Sequence, residues 1–203
     1  MWHRISIIAI SIIASLFIPF AAKGESVLKS PELQPEIQAA HSLQLRTNVL
    51  PWGLGITNIG AEYAIAKKWS VVLDLCFCPW KISDKFSVKT LAILPEGRWW
   101  WKSNKKGSYL NVHLNVAWYN IRANSYRYQD AETPLIGGGI GYGYRLSIGK
   151  RWGIDFEAGI GVSHTKYNRY YNVKNGALKD KRASFLWGPD RLSIAVTYLL
   201  CDL

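Results

Sequence analysis

Two long runs of polar and apolar alternation that contain no lysine, residues 108–120 and 153–163, most constrain what this chain can become. In the first run Leu110, Val112, Leu114, Val116 and Trp118 fall on one face of a strand, and Asn111, His113, Asn115, Ala117 and Tyr119 fall on the other. The wet face of a soluble sheet normally carries Lys or Glu. Here the lysines cluster instead at Lys67 and Lys68, at Lys102, Lys105 and Lys106, at Lys150, and from Lys166 to Lys181. The pattern predicts transmembrane strands joined by basic turns and loops.

Extending the alternation rule gives strand segments at roughly 43–51, 57–66, 69–79, 88–101, 108–122, 134–148, 152–165 and 188–200. The expected fold is all-β, an eight-stranded antiparallel up-and-down transmembrane β-barrel. Connections are short at 67–68, 102–107 and 149–151 and longer at 79–87, 123–133 and 166–187, with 52–56 as an exception. Outer-membrane barrels place short turns in the periplasm and long loops outside, so both termini are expected on the periplasmic side.

A soluble lipocalin-like barrel also alternates, with its apolar face inward. The polar face separates the two cases. It is rich in glycine, with Gly137, Gly139, Gly141 and Gly143 in one segment and Gly153, Gly159 and Gly161 in the next. A narrow lumen that must admit large side chains from the opposite wall needs such positions, whereas a wet outer face does not.

Among the charges inside the segments are Arg46, Glu62, Asp74, Glu96, Arg98, Arg145, Asp155 and Glu157, with His113 nearby. By parity all lie on the polar face, a few residues above the short turns. They are expected to form one ion-pair and hydrogen-bond layer, because an enclosed charge is costly unless it is paired. Such a layer either fills and orders the lumen or forms a gated constriction.

Aromatic content of 13% with 10 tryptophans gives a separate test. On the expected topology Trp69, Trp99, Trp101, Trp152 and Tyr198 gather at the short-turn end, and Trp52, Trp80 and Trp118 near the other. Two such girdles mark the interfaces of a membrane barrel.

The chain begins with Arg4, an apolar run over residues 5–20 and small residues to Gly24, the layout of a secretory signal peptide comprising residues 1–24. Residues 25–42, with Pro31 and Pro35, lack alternation and are expected to be a periplasmic leader, leaving 43–203 for the barrel. Loss of Arg4 and Lys23 lowers the net charge from +11 to +9. An exported basic barrel meets anionic lipid and lipopolysaccharide rather than nucleic acid. Cys76, Cys78 and Cys201 are odd in number, two of them on one face, and read as small apolar residues rather than a disulfide scaffold.

Catalytic and cofactor signals are weak. The glycines from Gly137 to Gly143 fit neither phosphate-loop spacing and lie in a strand, so no cofactor is expected. His41, His113 and His164 show no ligand spacing for a metal. Ser163 and His164 invite comparison with barrel lipid deacylases, yet adjacent strand residues point to opposite faces. The region from 166 to 187 is dense in Lys166, Tyr167, Arg169, Tyr170, Tyr171, Lys174, Lys179, Lys181 and Arg182. It reads either as a solvated loop among anionic sugar phosphates or as a surface-recognition loop.

The segments Leu45-Arg-Thr-Asn-Val-Leu-Pro-Trp52, Asn58-Ile-Gly-Ala-Glu-Tyr63, Trp69-Ser70 and Leu94-Pro-Glu-Gly-Arg-Trp-Trp100 resemble a family of uncharacterised Gram-negative outer-membrane proteins that carry a domain of unknown function. The resemblance covers nearly the whole chain after the signal peptide. It implies an OmpA-like barrel, sometimes encoded near fimbrial subunits, with no established activity and with Asn48, Glu62, Glu96 and Arg98 as recurrent structural positions in the lumen. The end, Tyr198-Leu-Leu-Cys-Asp-Leu203, departs from the common pattern by lacking a terminal Phe or Trp. The expectation is a non-enzymatic outer-membrane protein, structural or adhesive, contacting surface polysaccharide or a fimbrial subunit. A small gated pore, a lipid-modifying barrel enzyme and a soluble lipocalin-like periplasmic binder are the alternatives.

Overall fold

A computed structural model describes residues 41–81, 86–102, 105–131, 133–173 and 175–202. The signal-peptide expectation, nearly all of the leader, and Lys174 lie outside these residues. Nine strands are present among the described residues: β1 (Ser42–Asn48), β2 (Thr57–Ala66), β3 (Trp69–Cys78), β4 (Phe86–Trp100), β5 (Gly107–Ala123), β6 (Tyr126–Asp130), β7 (Leu135–Ile148), β8 (Trp152–Tyr171) and β9 (Leu178–Asp202). One helical turn, α1 (Val49–Trp52), follows β1, with the Asn48 side chain accepting from the Leu50 amide. No described helix is long and apolar enough to cross a membrane.

All pairings are antiparallel, and the sheet closes into a ring. Its order is β1-β2-β3-β4-β5-β7-β8-β9, with β9 returning to β1 through pairs such as Arg46 with Thr197. The eight ring strands match the eight expected segments, although the leader boundary shifts because Ser42 already belongs to β1. Short connections lie at one end with the entry to β1 and the end of β9, and longer ones lie at the other.

Two expectations about the long connections are corrected. The region 123–133, read as a loop, contains β6, which takes over from β7 beside β5: Ala117 pairs with Leu135 of β7, and Asn120 pairs with Gln129 of β6. Asn124 turns this hairpin with φ 53°, a left-handed conformation that asparagine tolerates. The candidate recognition loop is mostly a β-hairpin, not a loop. β8 runs on to Tyr171 and β9 starts at Leu178, so Lys166, Tyr167, Arg169 and Tyr170 sit on one strand and Lys179, Lys181 and Arg182 on the other. Neither segment keeps a regular polar–apolar alternation, 166–171 reading Lys-Tyr-Asn-Arg-Tyr-Tyr, so the period-two rule does not mark them as strand.

The distribution of side chains is inverted relative to a water-soluble core. Val112 is 62% exposed and Ile140 is 60% exposed, whereas Arg98 and Asp155 are fully enclosed. Ring glycines admit the interior side chains. A Cβ added at Gly143 would overlap the Tyr109 ring, and one at Gly161 would overlap the Asp190 carboxylate. Tyr109 and Trp100 are both fully buried, with ring centroids 4.5 Å apart, and supply an aromatic floor within the ring.

The aromatic residues singled out in the sequence lie at the outside of the ring or at its rims. At the short-turn end Trp69 pairs with Trp99, Trp99 contacts Trp101 at 5.2 Å, and Trp152 packs on Tyr198 at 4.7 Å. Tyr142, absent from the expected set, joins Trp101 edge-on at 6.0 Å. Trp52, Trp80 and Trp118 are exposed toward the other end.

Candidate functional site

Strand parity carries Arg46, Glu62, Asp74, Glu96, Arg98, His113, Arg145, Asp155 and Glu157 to the interior, and the structure brings all nine together. Arg98 on β4 is the hub. Its Nε donates to Glu96 Oε1 at 2.5 Å, Nη1 to Asp155 Oδ2 at 2.8 Å and Glu62 Oε2 at 3.1 Å, and Nη2 to Glu157 Oε2 at 3.2 Å. The same guanidinium stacks 4.4 Å from the Tyr109 ring centroid. A planar fork with five donors suits this position, whereas one ammonium could not serve four carboxylates in these directions.

Arg145 on β7 forms the second node. It grips Asp155 with Nε and Nη2 at 2.5 and 2.6 Å, donates through Nη2 to Glu62 at 2.6 Å, and reaches Gln44 on β1 through Nη1 at 2.9 Å. Its guanidinium lies 4.8 Å from the Trp100 ring. The remaining oxygen of Glu62 accepts from Ser70 at 2.6 Å, and Ser70 accepts in turn from Trp100 Nε1 at 2.9 Å. Nearly every lone pair on this carboxylate is thereby matched, which is what makes a buried charge layer tolerable.

The layer continues toward the long-connection end. Asn111 donates to Glu157 at 3.0 Å and presents its oxygen 3.1 Å from His113 Nδ1, while His113 Nε2 lies 2.9 Å from Asp190 Oδ2. Arg46 approaches Asp74 at 3.5 Å and Glu157 at 3.8 Å. Arg191 pairs with Glu96 and reaches Glu157 at 3.4 Å.

Arg191 shares the inward parity of Ser193, Ala195 and Thr197, whereas Asp190, its neighbour, departs from alternation and also contributes inward. A bulge allows this: Gly159 pairs with Arg191 and Ile160 with Pro189, leaving Asp190 unpaired. The sequence signal is Gly188-Pro189, a pair that interrupts regular pairing, with Gly188 at φ 132°.

The expected surface residues form a second cluster on the hairpin. Arg169 grips Asp180 with Nε at 2.9 Å and Nη2 at 2.5 Å, and Arg182 adds a bond to Asp180 at 3.1 Å. Hydrogen bonds from Arg169, then from Arg182, hold the Asp180 carboxyl below its usual range. Lys179 donates to the Tyr126 hydroxyl at 2.6 Å, and this bond lowers the tyrosine below its usual range. Arg127 stacks 4.6 Å from the Tyr170 ring. Tyr126 packs beside Tyr171, and Tyr128 beside Tyr167. Much of this set therefore holds β6, β8 and β9 together, while Lys166 and Lys181 point to solvent.

Ser163 and His164 face opposite sides of the wall, Ser163 bordering an interior cavity and His164 exposed. Among the described residues no group of three or more His, Cys, Asp or Glu could hold a metal ion. Cys76, Cys78 and Cys201 are free thiols, with Cys78 buried inside the ring and Cys201 exposed.

No curated protein and no solved structure matches the chain. Residues 27–200 match the family model described as a protein of unknown function (DUF3575), and the chain belongs to that family.

Proposed function

We propose that this protein is a non-enzymatic β-barrel of the Gram-negative outer membrane, sealed inside by its ion-pair layer and carrying a hairpin extension for contact at the cell surface. The observation that carries this reading is the inversion of the ring: charged side chains inside, a continuous apolar wall outside, and aromatic residues at both rims. Water would not stabilise a wall in which Ile59, Leu73, Leu75, Leu110, Val112, Ile140 and Ile160 face outward, whereas lipid would. Strand length agrees. β2 and β3 have 10 residues each, within the roughly 9–11 needed to cross a bilayer.

β8 and β9 have 20 and 25 residues, about twice that requirement, so the β6, β8 and β9 hairpins would stand beyond the membrane. Their basic residues Lys166, Lys181 and Arg182 suit the anionic groups of lipopolysaccharide or surface polysaccharide. Exposed Phe185, Leu186 and Trp187 on β9 add apolar contact area.

The deciding experiment compares unboiled and boiled samples of separated inner and outer membranes on an SDS gel. Outer-membrane location with a boiling-dependent mobility shift is the expected result. A soluble periplasmic protein with no shift would sink the membrane reading and return the lipocalin-like alternative. Removal of 167–183 without any change in surface adhesion would leave the barrel standing and discard the contact role.

A further inference from the structure

β9 outlasts its neighbour on one side. β1 ends at Asn48, which pairs with Ala195, and the Asn48 side chain accepts from the Ile194 amide just beyond. From there up to Leu178, β9 keeps β8 on one side and, among the described residues, has no strand on the other. Its open side is therefore a formed strand edge, a row of backbone N–H and C=O groups turned away from β8 with no strand to meet them. Pro189 has no N–H to offer, so the uninterrupted part of the edge lies above it.

Paired residues share a face, so the outward His164 places Phe185 outward, together with Lys181, Ala183 and Trp187. Arg182, Ser184 and Leu186 take the other face. Phe185 is 65% exposed, Leu186 54% and Trp187 83%. These three consecutive residues point to alternate sides, so neither face of the edge is covered at this height. Above them the edge turns basic. Arg169 takes both oxygens of Asp180, the one acidic residue there, which leaves Lys181 outward and Arg182 on the opposite face as the charges beside the open backbone.

We propose that this edge, over residues 180–187, docks an extended segment of a partner protein as one further strand. The partner carries two adjacent acidic residues across from Lys181 and Arg182, and an apolar run across from Phe185, Leu186 and Trp187. Backbone pairing supplies the attachment, and side chains directly across select the sequence. A second copy of this chain is the wrong occupant. Two copies upright in one membrane run their β9 strands the same way, so Lys181 and Arg182 would meet their own counterparts, and like charges across a strand pair repel.

The inference rests on the reading above in one respect, that this part of β9 stands clear of the membrane. Its test uses the full chain in detergent micelles, the fold checked by the boiling-dependent gel shift. The probes are dye-labelled synthetic peptides, Glu-Glu-Thr-Thr-Val-Leu-Val and its reverse, read by fluorescence anisotropy, with the same peptides carrying Lys for Glu as controls. At least one acidic peptide should bind, with its lysine counterpart about tenfold weaker. Lys181 makes no hydrogen bond or ion pair among the described residues, so Lys181→Glu should keep the gel shift and turn the preference toward the lysine peptide. Trp187→Ser, at the other end of the edge, should weaken the acidic peptide and leave the charge preference in place. Carbon-13 at the peptide carbonyls should show the infrared band of a paired strand in the bound state only.

Absence of acidic-peptide binding by the folded protein would overturn the proposal. So would equal binding of the lysine peptides, an unchanged preference in Lys181→Glu, or a labelled band that stays at its unpaired position in the complex. Binding by a chain that fractionates as soluble protein would support the docking edge and sink the membrane reading, whereas an outer-membrane chain that binds neither acidic peptide would do the reverse.

Discussion

Arg98 on β4 donates to Asp155 on β8 at 2.8 Å across the interior of the ring, although 57 positions separate them in the chain. The two strands are not neighbours, since β5 and β7 lie between them. This contact therefore ties opposite walls together, and Arg145 on β7 grips the same carboxylate from another side.

Removing the hub exposes how much depends on it. Arg98→Met leaves Glu62, Glu96, Asp155 and Glu157 short of one shared partner, and should destabilise the fold by about 3–5 kcal/mol. The urea midpoint for loss of the compact gel band should fall accordingly. Arg98→Lys should recover only part of the loss, because an ammonium cannot reproduce the planar fork.

The ion-pair layer should also block conduction. The interior is divided into a small space of about 70 Å³ near the short turns and the larger cavity on the other side, with Arg145 bordering the first and Arg46 the second. Planar-bilayer recording of the intact protein should give no stable single-channel steps. Regular steps that disappear in Arg98→Ala would identify the layer as a gate instead of a seal.

Gly143 is required by contact rather than by backbone conformation. Its missing Cβ leaves room for Tyr109, whose ring also packs on Trp100 and under Arg98. Gly143→Ala should cost about 1–3 kcal/mol through overpacking. In thermal denaturation Gly143→Ala should melt below Gly149→Ala, since a Cβ at Gly149 meets nothing within 4 Å and suffers only from its φ of 70°.

The hairpin cluster should respond to acid. Arg169 and Arg182 depress the Asp180 carboxyl, so their contribution is present above the unfolded aspartate value of about 3.9 and is lost as pH falls through the lower folded value. NMR signals of the Arg169 guanidinium should stay constant from neutral pH down to that range and then shift toward solvent-exchanged positions. Asp180→Asn should show the shifted state at all pH values.

The period-two pattern by itself determined the eight ring strands and the face on which each charge lies, because a strand places successive side chains on opposite sides wherever it is in the fold. Arg46, Glu62, Asp74, Glu96, Arg98, His113, Arg145, Asp155 and Glu157 were legible for that reason. Asp190 was not, since a bulge lets it share the inner side with its neighbour Arg191 and parity fails there. Nor could the chain alone separate β6 and the long hairpin from loops, as their pairing depends on strands that end at different heights. Which carboxylate each arginine grips was decided only by ring closure, because strand tilt and register set how opposite walls meet.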